Sequence, residues 1–304
     1  MKSSVSNQVN NFKKKGIIEF NNIFQKEKCI NLYNQLTKDR EWGPSLFRSQ
    51  KDVILNPQYK KTNPGKGINN LAEKFNLDFI EKNEIIINTL NFILGIDFEI
   101  ILKKFVVAAP SHWIPSWLKG KIAASLAANL GPYIKEEFRD VTYFRGIDYH
   151  MDQIDFPNSN PDFITMYVYL NDTTPEMSPL HVIEKSHIYG PTKFPHFINE
   201  VNEDYVIYGL DKNNSKKLKK KMLMGNAGTA YIWSCLTLHG TQPQVDKDIF
   251  RISLRYLIKK NKKNKKKFLI DKLLPTDKKV LKTRDDINLK TREQKKKKFI
   301  RILK

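Results

Sequence analysis

The stretch YHMDQID, residues 149–155, sets His150 and Asp152 two positions apart in a segment of strand-like composition. On an extended strand, side chains i and i+2 share a face, so imidazole and carboxylate stand side by side with Met151 turned away. Both groups are ligand types for divalent metals, but His-x-Asp is also a common surface pair, and a metal needs at least a third ligand. Asp155 competes with Asp152 on residue type, but at five positions from His150 it fits a strand-borne pair poorly. The other histidines are His112, His181, His187, His196 and His239. His181 falls mid-strand in SPLHVIE and His187 in the loop after it, and both read as scaffold. His239 follows the apolar run AYIW and precedes Gly240, a strand-end position that suits a ligand brought in from a neighbouring strand. Twelve residues on, RISLRY places Arg251, Ser253 and Arg255 on one strand face.

The elements that must hold these residues change character near Asp140. Before it, GIIEF reads as a short strand and a helix opens near Gln25; residues 41–83 are polar and turn-rich, a loop flanking a site. NEIIINTLNFILG has helical spacing, FEIILKKFVVAA reads as strand, and the alanine-rich segment after Trp113 and Trp117 as a packing or lid helix. After Asp140, DVTYFRGIDYHMD, DFITMYVYLND, SPLHVIE, GTAYIWSCL and FRISLRYLI are short strands separated by turn residues, which suggests a β-sandwich or barrel.

Composition narrows the class. The 304 residues are 40% hydrophobic with 18 Phe and 12 Tyr, enough for a substantial core. The two cysteines, Cys29 and Cys235, are far apart, which argues against a disulfide framework or a cysteine-based zinc site. No apolar leader opens the chain, and the greasiest stretch is interrupted by Asn, Asp, Glu and Lys; the expectation is a soluble cytoplasmic protein without a transmembrane segment. The net charge of +21 is concentrated at the end, where residues 259–304 carry 20 Lys and Arg against 5 Asp and Glu. Two regions are therefore expected: a catalytic body over 1–258 and a basic extension over 259–304, the latter available for weak binding to polyanions.

The order His-x-Asp, YLNDTT, SPLHVIEKSH, a Gly-led strand, LHG and a following Arg resembles the phytanoyl-CoA dioxygenase family of iron(II)- and 2-oxoglutarate-dependent oxygenases. The likeness covers roughly residues 16–258 and is strongest over 149–256. Lys185-Ser186-His187 stands where that family often has Gly-Ser-His, and Gly228-Thr229 where it often has Gly-Asp. The resemblance implies a mainly β fold with flanking helices (α+β), a cupin-like double-stranded β-helix or jelly roll. It implies Fe(II) held by His150, Asp152 and His239, the two-histidine, one-carboxylate facial set of non-haem oxygenases. It further implies 2-oxoglutarate as cosubstrate, O2 as oxidant, and succinate and CO2 as products. A buried distal carboxylate of that cosubstrate needs a paired donor. Arg251 takes this role by family position, with Ser253 adding a hydrogen bond and Arg255 as the runner-up. Tyr143 and Arg145, just before the metal strand, are candidates for lining the pocket of a small-molecule substrate.

Asp152 also discriminates within the chemistry, because related halogenases replace the metal-binding acid with a small residue. Its presence argues for hydroxylation or another oxidation. Two rivals remain: a non-catalytic jelly-roll binding module, and a nucleic-acid dealkylase with the same cofactor. The second is disfavoured, since RISLRY lacks the Arg-x-Asn-x-x-x-Arg segment of those enzymes.

Overall fold

The computed structural model describes residues 2–38, 40–56, 70–123, 127–156, 160–192, 196–242 and 249–273. Its strands are β1 (Ile17–Phe20), β2 (Glu99–Ala108), β3 (Ala127–Asn129), β4 (Thr142–His150), β5 (Phe163–Tyr169) and β6 (Leu180–Ile183). They continue as β7 (Phe197–Glu200), β8 (Tyr205–Gly209), β9 (Ser215–Leu223), β10 (Ala230–Ser234), β11 (His239–Thr241) and β12 (Ile252–Lys259). The order across the sheet is β1-β10-β5-β12-β2-β4-β11-β6-β9-β8-β7, with β3 against β4. Two antiparallel four-strand runs, β10-β5-β12-β2 and β4-β11-β6-β9, meet where β2 and β4 lie parallel. Along the chain, β2, β5, β10 and β12 belong to the first run, and β4, β6, β9 and β11 to the second. This interleaving is the double-stranded β-helix expected from the sequence.

Period-two alternation sorts the side chains of the first run. Phe105 and Val107 of β2, Ile164, Met166 and Val168 of β5, Ala230 and Ile232 of β10, and Ile252, Leu254 and Tyr256 of β12 share one core cluster with the helices. Val106, Tyr167, Tyr169, Tyr231 and Trp233, at the intervening positions, form a separate cluster with Leu180 and Val182 of β6 and Leu223 of β9. All seven side chains of β5 are buried, which explains why FITMYVY is a continuous apolar run instead of an alternating one.

The helices Lys26–Lys38 and Glu84–Leu94 lie where the spacing predicts them. Asn83 caps the second through its side chain, which accepts from the backbone N–H groups of Ile85 and Ile86. Three expectations need correcting. Residues 41–83 are less loop-like than their polarity suggests: short helical turns occupy Pro44–Leu46, Gln50–Leu55, Leu71–Lys74 and Asp78–Glu81, while 57–69 lie outside the described residues. The alanine-rich helix is only Ser116–Ala123, and Ala127–Asn129 pairs with β4 as a strand. The packed chain also does not end at Ile258. Ile270 and Leu273 join the main core cluster, and the Phe268 ring lies so close to Gly95 that a Cβ there would sit 2.7 Å from it. Gly95 also needs its φ of 101°, so it serves both the helix end and this contact. The body therefore extends at least to Leu273; residues 274–304 lie outside the described residues. No helix among the described residues is long and apolar enough to cross a membrane.

Candidate metal centre

β11 lies between β4 and β6, and its His239 is directly opposite His150. The register then shifts, because β4 takes three steps from Ile147 to His150 while β11 takes two from Thr241 to His239. This is a β-bulge, the device that re-aims side chains beside functional sites. The two imidazoles come together with ring centroids 4.4 Å apart. Strand β4 ends at His150, and Asp152 opens a 3-10 turn, Asp152–Asp155, instead of continuing the strand as its spacing predicts. Met151 stays extended and fully buried, so the His-x-Asp geometry survives the strand's end. One donor atom each from His150, Asp152 and His239 lies within 4.8 Å of the others. Asp155 is exposed, and His181 and His187 are not part of this group.

The surroundings fix each donor. His150 Nδ1 donates to the Asp148 carbonyl at 3.0 Å, and His239 Nδ1 to the Thr237 carbonyl at 3.0 Å. A carbonyl only accepts, so Nδ1 carries the proton in both rings and Nε2 keeps its lone pair for the centre. Burial pushes His239 down to about 4, with Asp152 opposing and His150 reinforcing, and burial likewise lowers His150. Both rings are neutral at pH 7. Burial alone would raise Asp152, but Arg255, the two imidazoles and the Thr165 hydroxyl outweigh it and hold the carboxyl well below the usual range. Asp152 Oδ2 accepts from Thr165 Oγ1 at 2.5 Å and Trp233 Nε1 at 3.2 Å, while Oδ1 lies 3.7 Å from His239 Nε2 and accepts from Arg255.

Arg251 immediately precedes β12 and is 1% exposed. Its Nε donates to the Ser178 carbonyl at 3.0 Å and one terminal nitrogen to Ser253 Oγ at 2.6 Å. The guanidinium lies over Tyr169 and Tyr167, 5.8 and 6.0 Å from the ring centroids. Arg255 shares the face but stands at the Asp152 end, opposite Lys104 of β2 and Tyr167 of β5. Burial and Arg255 push the Lys104 ammonium down to about 7, against Asp155 and Asp152.

Tyr143 does not face this group. Its ring belongs to the core cluster beneath the helices, 6.2 Å from Trp42, and its hydroxyl accepts from Arg40 at 3.2 Å. The next residue, Phe144, instead packs against the cluster that contains Tyr167, Tyr169 and Trp233. Arg145 is half-buried. Sequence reasoning missed Thr165, Trp233 and Ser178. Position parity carries a signal for the first: Thr165 is a hydroxyl within an apolar strand, in phase with Tyr167 and Tyr169.

No family model matches the chain, and no curated protein matches it in sequence. The phytanoyl-CoA dioxygenase likeness thus rests on its motifs alone. Among solved structures, the chain is similar to the epimerase SnoN in complex with Fe3+, alpha ketoglutarate and nogalamycin RO, at 10% identity and a TM-score of 0.48, over 85% of this chain and 84% of SnoN. It is similar to the non-heme alpha ketoglutarate dependent carbocyclase SnoK from nogalamycin biosynthesis at 11% identity and a TM-score of 0.47, over 83% of each chain. EvdO2 from Micromonospora carbonacea var. aurantiaca, complexed with 2-oxoglutarate, matches at 11% identity and a TM-score of 0.45, over 84% of this chain and 90% of EvdO2. Likenesses at this level concern the course of the backbone alone.

Proposed function

We propose that this protein is a non-haem iron(II)- and 2-oxoglutarate-dependent dioxygenase of the phytanoyl-CoA dioxygenase type, hydroxylating a small-molecule metabolite. The observation that carries the reading is the convergence of His150, Asp152 and His239 within 4.8 Å, with both imidazoles tied through Nδ1 so that Nε2 is presented. Two neutral imidazoles and an ionised carboxylate form a donor set that suits iron(II) and needs no proton removed at pH 7. When bound, iron and 2-oxoglutarate supply an oxidation in which O2 is consumed, the cosubstrate leaves as succinate and CO2, and the substrate gains one oxygen atom.

The chain's own residues bind and orient. Arg251 and Ser253 are assigned to the distal carboxylate of the cosubstrate, because a guanidinium pre-oriented by neutral acceptors can meet a planar carboxylate with paired donors. Tyr167 and Tyr169 flank that guanidinium and exclude water from it. Thr165 and Trp233 hold Asp152 Oδ2, which leaves Oδ1 as the oxygen toward the imidazoles. The carboxylate at this position supports oxygen insertion over halide transfer. Phe144 and Arg145 are assigned to the substrate side.

One observation favours the rival non-catalytic module: Arg255 is bonded to the same Asp152 oxygen a metal would take. Purification without oxygen, followed by iron(II), 2-oxoglutarate and then air, separates the two readings. Succinate formed in the absence of any substrate supports the enzyme. A protein that forms none, while binding iron no better than Asp152→Ala, is a binding module.

A further inference from the structure

Both carboxylate oxygens of Asp152 already have donors from the chain itself. Asp152 is buried, so each of those donors matters energetically. Oδ2 is held by Thr165 and Trp233, which face each other across the β5–β10 pair. Those donors are neutral and leave the charge uncompensated. Oδ1 takes its donor from the guanidinium of Arg255 on β12, the strand next to β5. This is also the oxygen 3.7 Å from His239 Nε2 and so the one that faces the imidazole pair. A divalent ion bridging His150, His239 and Asp152 therefore meets a cation already seated on its third ligand. The Arg255 side chain is 17% exposed against 3% for the Asp152 side chain, so the arginine is the less buried partner of the pair. Lys104 stands across the β2–β12 pair from Arg255 and adds a second cationic side chain on that flank.

We propose that Arg255 is a resident cation of the metal centre, which satisfies the Asp152 carboxylate when no metal is bound and must be displaced from Oδ1 for a divalent metal to bind. The proposal rests on the triad being a metal site, the reading given above. Arg255 is then a positioning residue with two opposite effects. It stabilises the metal-free protein, because a buried carboxylate without its countercharge is strongly destabilising. It also weakens metal binding, because the metal competes for an oxygen already in an ion pair and then sits beside a like charge. A merely structural arginine would lower stability on removal without raising metal affinity. One that only orients Asp152 would lower both.

The test uses the full chain and cobalt(II) as the probe, followed by its visible absorption, with thermal melting measured in parallel. Arg255→Gln is expected to melt at a lower temperature than wild type when metal-free, to bind cobalt(II) on the order of tenfold tighter or more, and to recover most of the lost melting temperature when loaded. Arg255→Lys, which keeps a cation, is expected to bind within about threefold of wild type. Equal or weaker cobalt(II) binding by Arg255→Gln beside a wild type that binds normally overturns the proposal and leaves the metal site standing. Binding by Arg255→Gln alone supports the proposal in its strongest form, with the wild-type centre blocked, and removes the enzyme reading. Absence of cobalt(II) binding in every variant, Arg255→Gln included, overturns both. Should Arg255→Gln fail to fold, the Nε–H resonance of Arg255 in wild type, assigned by its loss in Arg255→Lys, takes its place. A shift of that resonance on zinc(II) saturation supports displacement, and an unmoved resonance overturns it.

Discussion

Two ends of one strand face treat charge in different ways. At the Arg251 end, the guanidinium is met by the Ser178 carbonyl, the Ser253 hydroxyl and two tyrosine rings, all neutral. At the Arg255 end, four residues on, the guanidinium is spent on Asp152. The first arrangement orients the guanidinium through neutral groups, as a site for a planar carboxylate requires. The second neutralises an anion in advance, so an incoming metal must compete for it. Residue type alone does not distinguish the two arginines; Ser178 and Ser253 at one end and Asp152 at the other do.

The sharpest way to break this comparison is to remove the metal ligands. Asp152→Ala and His239→Ala should each reduce iron-dependent succinate formation to background while the far-ultraviolet circular dichroism stays that of wild type, since each loses one of three protein donors. Near-normal turnover in either, at wild-type iron content, would mean that the ligands are others.

The next largest effect is expected at Arg251. Arg251→Leu should raise the 2-oxoglutarate concentration needed for half-maximal succinate formation by about two to three decades, since breaking a buried ion pair costs roughly 3–5 kcal/mol. Arg255→Leu should move it far less. A larger shift in the Arg255 variant would exchange the two assignments.

Acid should then act through the buried histidines. Burial lowers His239 and His181 to about 4 and His196 to about 3, whereas an unfolded chain takes up those protons near pH 6.5. A histidine with a depressed folded-state value favours the unfolded chain once that chain is protonated. Stability of the metal-free protein is therefore full above about pH 6.5 and falls toward pH 4, by up to about 1.4 kcal/mol per histidine per pH unit. Asp152 loses its contribution only at still lower pH, as the carboxylate titrates. Urea midpoints measured from pH 7 to 4 check this; a flat profile would show that these rings are solvated.

The smallest effect on chemistry should come from the basic end. A chain ending at Leu273 keeps Phe268 against Gly95 and Ile270 in the core, and should retain iron and succinate formation. One ending at Ile258 should melt lower. We propose that the residues after 273 bind polyanions, so the shorter chain should lose salt-sensitive retention on heparin. Unchanged retention would locate that binding elsewhere.

Much of this is legible in the sequence. The β2, β4, β5, β6, β10 and β12 strands follow from β-branched and aromatic runs between turn residues, and the ligand trio from residue type and order. Other parts were hidden for physical reasons. Strand β9, SKKLKKKML, carries no apolar alternation that marks a strand, yet backbone pairing to β6 and β8 makes it one, with Lys220 on Glu200 and Lys221 on Glu19. The core role of Ile270 was masked by the lysines around it. The packing of Tyr143 in the main core was hidden because a residue's nearness in sequence to His150 does not say which face of the strand it occupies.

If the proposed function is right, His150, Asp152 and His239 form a working iron centre. Its most direct test is iron(II) titration of the anaerobic protein with and without 2-oxoglutarate, followed by visible absorption. About one iron per chain is expected, with a new absorption band that appears only when 2-oxoglutarate is added and is lost in His239→Ala. Iron uptake by His239→Ala equal to that of wild type, with no band in either, would contradict it.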